Sequence, residues 1–286
     1  MPIILSVAKS EQASALWAAG PEGLYSVNPS GNGDKLTQVA QPQQELYCCG
    51  AADDRVLVGG MPHGVAFSLD NGGNWQASWM DGVSAPVLCI AADPRVEETG
   101  VLLAGAAGGG ILRSRDRGAA WWVCNYGLLD YMVLTIAWAP VAPAHIWPRR
   151  EIVFAGTEEG IYRSPNSGLG WRRCEGADGV FQVLAVAPDF HESGLVLAGT
   201  EENGLWRSED GGYTFEAVPN VPNRIDALTA TSDGWLLSDE SGLWTSSDAT
   251  TWTKVPDTQS TLILYSASDA VWGGGEFGLD VVPAAE

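Results

Sequence analysis

Positive charge is scarce in this chain. Its 286 residues hold 15 Lys and Arg against 35 Asp and Glu, a net charge of −20. The lysines are Lys9, Lys35 and Lys254, and no basic run occurs. Phosphate neutralisation needs a basic face, so nucleic acid is excluded as a partner. Anionic membrane surfaces are disfavoured for the same reason. No stretch approaches the roughly 20 apolar residues of a spanning helix, so membrane insertion is not expected. The start, MPIILSVAKS, has neither a basic leader region nor a long apolar run; it predicts no export signal and a cytoplasmic protein. Five cysteines, Cys48, Cys49, Cys89, Cys124 and Cys174, match no zinc spacing and are expected as reduced thiols. Adjacent strand residues face opposite ways, so Cys48 and Cys49 read as core positions and not as a redox pair. His63, His145 and His191 lie in separate loops, without ligand spacing to one another or to cysteine. No metal, cofactor or catalytic triad is expected, and no phosphate loop is present.

Glycine and tryptophan are plentiful, at 35 and 13 residues. Both suit a β-protein with many turns and packed aromatic layers. A unit recurs: an apolar strand, a glycine-containing turn, and a second strand. Its anchor glycines are Gly23, Gly64, Gly110, Gly160, Gly204, Gly242 and Gly278, 36 to 50 residues apart. That period is the length of a four-stranded propeller blade.

A second signal stands in phase with the first. The segments SLDNGGNW (68–75), SRDRGAAW (114–121), SPNSGLGW (164–171) and SEDGGYTF (208–215) share one form, and SSDATTW (246–252) is one residue short. The Asp or Asn can accept backbone N–H bonds inside a hairpin turn, and Gly permits a positive φ. The form resembles the Asp-box, or BNR, repeat, S-x-D-x-G-x-x-W. The resemblance implies an all-β fold: a seven-bladed β-propeller of four-stranded antiparallel blades. LILYSAS, AVWGGG and GLDVV make a last blade of three strands. Its closure rests on packing against the first blade, unless the N-terminus fills the fourth place. One domain over residues 1–286 and a monomer are expected.

Chains with this repeat include sialidases, xyloglucan-degrading glycosidases, sortilin-type receptors and photosystem II assembly factors. In size the chain is most similar to the single-propeller assembly factors. Sialidases hold a carboxylate with three arginines. Here Arg113, Arg115, Arg117, Arg163, Arg172, Arg173 and Arg207 fall beside the Asp boxes instead, which argues against that activity.

Strand order places the turns between second and third strands on the same face as the blade-to-blade loops. That face surrounds the channel mouth. The turns bring Glu22, His63, Glu158, Glu159, Glu201, Glu202, Asp239, Glu240 and Glu276. The blade-to-blade loops add Glu45, Asp81, Asp130, Tyr131, Asp178, Phe181, Gln182, Arg224 and Asp226. The result is an acidic rim with aromatics and one arginine. On the opposite face, the insertion APVAPAHIWPRRE brings His145, Trp147, Arg149 and Arg150 together, while DPRVEETG and PDFHESG read as solvated turns. The first functional expectation is a non-enzymatic binding or assembly module whose rim meets a protein partner or a polar small ligand. The alternatives are a carbohydrate-active protein, lectin-like or hydrolytic, using rim carboxylates and aromatics, and an atypical pathway enzyme with its site at the channel mouth.

Overall fold

The computed structural model of the protein describes residues 1–10, 15–28, 35–39, 42, 45–52, 54–62, 64–146, 151–267 and 270–282. They form a seven-bladed β-propeller. Blade 1 comprises β1 (Ser6–Ser10), β2 (Ala15–Gly20), β3 (Gly23–Val27) and β4 (Leu36–Val39). Blade 2 comprises β5 (Glu45–Ala52), β6 (Arg55–Met61), β7 (Gly64–Ser68) and β8 (Gln76–Ala77). The chain then adds β9 (Trp79–Met80) in parallel to the outer edge of blade 3. Blade 3 itself is β10 (Val87–Ala92), β11 (Leu102–Ala106), β12 (Gly110–Ser114) and β13 (Ala120–Val123). Blade 4 follows as β14 (Val133–Trp138), β15 (Val153–Thr157), β16 (Ile161–Ser164) and β17 (Arg172–Arg173). Blade 5 is β18 (Phe181–Val186), β19 (Val196–Thr200), β20 (Leu205–Ser208) and β21 (Glu216–Ala217). Blade 6 is β22 (Ala227–Thr231), β23 (Gly234–Asp239), β24 (Gly242–Ser246) and β25 (Thr253–Lys254). Blade 7 has three strands, β26 (Ile263–Ser266), β27 (Val271–Gly275) and β28 (Gly278–Val282).

The Asp boxes make the hairpins between third and fourth strands. Ser68, Ser114, Ser164 and Ser208 each donate an Oγ–H to the carboxylate or amide oxygen two residues on, all at 2.8 Å. Each Oγ accepts the N–H of the glycine four residues on, at 2.8–3.0 Å. The Asp or Asn oxygen then accepts the N–H four residues after itself, as in Asn74 N–H to Asp70 Oδ1 at 2.7 Å. A glycine is required at position 118: φ is +86°, and a Cβ would come within 2.1 Å of Leu57 in the preceding blade. Gly168 and Gly212 stand likewise against Leu103 and Phe154 of the preceding blades, so these three turns also clasp their neighbours. The box aromatics Trp121, Trp171, Phe215 and Trp252 are buried in the layers between blades. The turn of blade 1 (29–34) falls outside the described residues.

Arg113 and Arg163 beside the boxes, and Arg55 at the start of β6, join blades. Arg55 Nη1 donates to the Asp116 carbonyl (2.9 Å), Arg113 Nε to Ser167 (2.8 Å) and Arg163 Nε to Gly211 (2.8 Å), each time in the next blade's turn. Position thus gives these arginines a structural task away from the channel.

The ring closes by a bond that recurs elsewhere. Ile4 N–H donates to the Gly275 carbonyl at 3.1 Å, as Ile225 N–H does to Thr200 at 3.0 Å between blades 5 and 6. Ile4 packs with Leu16, Tyr25, Trp272 and Leu279. Among the described residues the N-terminal segment follows the path of a blade-to-blade loop and supplies no fourth strand to blade 7.

Two connections expected as solvated turns are helical instead: α1 (Val96–Thr99) and α2 (Phe190–Ser193). Asp93 is 2% exposed and accepts Arg95 N–H and the Thr99 hydroxyl, and Phe190 is buried. Gly100 and Gly194 end the two turns in the left-handed region, φ +65° and +67°. No helix among the described residues is long and apolar enough to cross a membrane.

The box carboxylates predict an acid limb in stability. Asn74, through its side-chain amide and backbone N–H, and then the Ser68 hydroxyl hold Asp70 down at about 2. The N–H groups of Thr251 and Thr250 hold Asp248 well below the usual carboxylate range. The unfolded value is about 3.9. A depressed folded pKa contributes stability above the unfolded value, and that contribution is lost as pH falls through the folded one. In blade 4, Asn166 makes the same bonds without charge, so Asp70→Asn should fold. The stability gap between wild type and Asp70→Asn should narrow from about pH 4 to pH 2, the span between those two pKa values. A gap that stays constant in thermal melts over this range would contradict the assignment.

Candidate functional site

The inner strands of all seven blades line a central channel with a cavity of about 640 Å³. Most of its wall is aliphatic side chain and backbone. Its polar side chains include Ser6, Lys9, Thr135, Gln182, Arg224, Asp226 and Tyr265.

A bulge shapes the wall. Pairing between first and second strands shifts register between Leu46 and Cys48, Val87 and Cys89, Val133 and Thr135, and Phe181 and Val183. The residue before each bulge is fully buried: Leu46, Val87, Val133 and Phe181 are 0% exposed. The bulged residues Leu88, Leu134 and Gln182 reach the channel. This corrects one expectation. Phe181 does not stand at the rim; it packs edge-on to Trp206, 6.1 Å between ring centroids, in the core of blades 4 and 5. The sugar-binding alternative loses that aromatic.

The other expected rim residues divide into three groups. Gln182, Arg224 and Asp226 come together at the mouth. Gln182 Nε2 donates to the Ile225 carbonyl at 2.8 Å, and Arg224 Nε donates to Asp226 Oδ1 at 2.6 Å. The Asp226 side chain is 7% exposed and that of Arg224 is 52% exposed. The Asp226 bond raises the Arg224 pKa, and Glu201 and Glu240 act on it in the same direction. One guanidinium, held by a buried carboxylate, thus feels the charge of glutamates from the turns of blades 5 and 6.

A second group ties loops together. Asp130 accepts Met132 N–H at 2.9 Å and Glu159 N–H at 3.0 Å, fastening the loop after blade 3 to the turn of blade 4. Arg173 donates to the Glu159 carbonyl and pairs with Asp178 at 2.7 Å. Asp239 is buried and accepts from Ser241 and from Trp244 Nε1.

The third group is exposed and spread around the ring: Glu22, Glu45, Tyr131, Glu158, Glu202 and Glu276. His63 lies outside the described residues, as do Trp147, Arg149 and Arg150 of the insertion; His145 is exposed. His191 is not a free turn residue. Its Nε2 lies 2.8 Å from the Pro140 carbonyl and its ring meets Phe190 edge-on.

Lys9, Thr135 and Tyr265 were not read from the sequence as channel residues. They reach the channel from within inner strands, a position that the assignment of loops to faces does not reveal. Cys48 and Cys49 face opposite ways, into the layers of blades 2–3 and 1–2 respectively. Burial pushes the Cys49 and Cys89 thiols up to about 12 and Cys48 well above its usual value. Such thiols are poor nucleophiles at neutral pH. No cluster of three or more metal-ligating side chains occurs among the described residues.

No family description matches the chain, and no curated protein matches it in sequence. Solved structures do match. One is the extracellular domain of what is described as a one-component system from B. thetaiotaomicron, at 14% identity and TM-score 0.73, covering 98% of this chain. Another is the GH74 xyloglucanase from Xanthomonas campestris, at 14% identity and TM-score 0.73, covering 97%. A third is YCF48 bound to D1 peptide, at 15% identity and TM-score 0.74, covering 97%. The chain spans only 38% and 51% of the first two proteins but 92% of YCF48. At these identities the likeness is one of fold: the chain is a seven-bladed β-propeller built like these structures.

Proposed function

We propose that this propeller is a non-enzymatic docking module that receives a polar or basic segment of a partner protein at the channel mouth of blades 5 and 6. The observation that carries the reading is the arrangement around Arg224. Its guanidinium is oriented by Asp226, lines the open channel and feels the charge of Glu201 and Glu240. The glutamates attract basic side chains, and the guanidinium's remaining donors can take backbone carbonyls or a carboxylate. The likeness to YCF48 bound to D1 peptide, over nearly the whole of that chain, supports a peptide as the guest. Five free thiols, three of them buried, fit a reducing compartment such as the cytoplasm.

The test is affinity capture with the intact chain, followed by titration of the recovered partner. Glu201→Lys with Glu240→Lys should weaken binding at least tenfold, which is about 1.4 kcal/mol. Raised salt should weaken the wild-type complex as well. Unchanged affinity in the double variant would rule this mouth out as the docking surface.

A further inference from the structure

Blade 4 sets two arginines face to face where the other box-bearing blades hold at most one. The residue before each box serine pairs across to the outer strand. The pairs are Phe67↔Gln76, Arg113↔Trp122, Arg207↔Glu216 and Thr245↔Thr253 in blades 2, 3, 5 and 6, and Arg163↔Arg172 in blade 4. Directly opposite residues share one face of the sheet, with Cβ atoms about 4.5–5.5 Å apart, and like charges there are destabilising. Blade 5 answers its arginine with Glu216. Blade 4 answers with a second cation.

The chain has 35 Asp and Glu, yet among the described residues neither Arg163 nor Arg172 forms an ion pair. Asp210, in the turn facing them, is already occupied. It accepts the Ser208 hydroxyl, the N–H groups of Tyr213 and Thr214, and the Thr214 hydroxyl, at 2.7–3.1 Å. Asp178 pairs with Arg173.

Arg163 is held in place. It is buried, its Nε donates to the Gly211 carbonyl at 2.8 Å, and its guanidinium carbon lies 4.4 Å from the centre of the Tyr213 ring. Its two Nη groups have no partner among the described residues. Arg172 is exposed and has all its donors free among those residues. Burial pushes the Cys174 thiol up to about 12, and the charges of Arg163 and Arg172 both pull against that rise. The two guanidinium groups therefore act on one place.

That place is a groove of about 260 Å³ between the outer edge of blade 4 and the box turn of blade 5. Both arginines line it, with Glu175, Tyr213 and Thr214. Sites that enclose a drug-sized ligand run to roughly 300–1,000 Å³, so this one suits a headgroup. A phosphate monoester brings about −1.5 to −2 charges at neutral pH and three acceptor oxygens. A carboxylate brings one charge, which leaves one of the two cations unanswered. Guanidinium forks also match phosphate oxygens in pairs. The net charge of −20 does not forbid such a ligand, because at physiological salt exposed charges beyond about 8 Å are largely screened.

We infer that Arg163 and Arg172 form a binding site for a phosphate monoester at the outer edge of blades 4 and 5, separate from the channel mouth.

The test is titration of the full chain, at physiological salt, with glycerol 3-phosphate and with the peptide Gly-phosphoserine-Gly, followed by backbone amide shifts. Saturable shifts should appear at residues 172–175 and 211–214. Arg172→Glu should weaken binding at least tenfold. It copies the Arg207↔Glu216 arrangement of blade 5, so without phosphate it should melt no lower than wild type. Arg172→Gln, which places there the residue type of blade 2, serves if charge reversal disturbs the fold. Tighter binding of glycerol 3-phosphate assigns the site to a free small phosphate, and tighter binding of the peptide to a phosphorylated protein; both outcomes support it. Glycerol or the unphosphorylated peptide binding as tightly as its phosphorylated form overturns the proposal. So do shifts confined to the channel mouth, equal affinity in wild type and the Arg172 variants, or no binding.

Discussion

Trp121→Ala should lower the melting temperature by about 10 °C. Trp121 is fully buried in the layer between blades 2 and 3, among Leu57, Phe67, Leu102 and Leu112. Its Nε1 donates to the Gly118 carbonyl at 3.0 Å, under its own turn. Removing a buried tryptophan costs about 3–5 kcal/mol in lost transfer energy and residual cavity. For a chain of this size each kcal/mol is worth about 2–4 °C. Trp121→Phe separates the two contributions. It keeps most of the volume, and the Gly118 carbonyl still accepts the Ser78 hydroxyl at 2.6 Å, so its cost should be about 1 kcal/mol. The check is a thermal melt followed by circular dichroism. An alanine variant that melts with the phenylalanine variant would show that the layer does not depend on ring volume.

Gly60→Ala should be nearly as damaging, for a different reason. A Cβ at Gly60 would fall 1.8 Å from the Glu45 carbonyl oxygen, and Gly20 stands at the same distance from Ile3. Gly20 ends β2 and Gly60 is the last residue but one of β6, each where the chain entering the blade lies against the strand. The obstructing atoms are backbone, so strand and loop must separate, at about 3 kcal/mol for overpacking of this kind. Gly82 is the control. Its φ is +66° but nothing lies within 4 Å of its Cβ position, so Gly82→Ala should show only left-handed strain of about 1 kcal/mol. Urea midpoints would order the two. Equal midpoints would mean that the crossing relaxes freely.

Much of the architecture was legible in one dimension because its causes are local. A Ser, an Asp or Asn and a Gly within five residues satisfy one another's hydrogen bonds, so the turn is specified wherever that form recurs. Ser68, Ser114, Ser164 and Ser208 repeat the geometry closely. The candidate site was legible only in part. Gln182, Arg224 and Asp226 were read as rim residues, and they meet. Phe181 was read beside them, yet the bulge at the start of β18 turns it inward. Simple alternation cannot foresee an extra residue in a strand. Asp130 and Asp239 looked like available carboxylates, but each is occupied by donors from its own or an adjacent turn.

The sequence by itself determined the repeat, the hairpin turns and the aromatic layers, because those interactions lie within one blade or between consecutive ones. Only the tertiary structure decided which rim charges share a site and that the N-terminal segment meets the last blade as a loop. Those outcomes depend on how the blades pack around the axis and on where the ring closes, at Ile4 and Gly275. They arise from contacts between residues far apart along the chain, whose pairing no local pattern encodes.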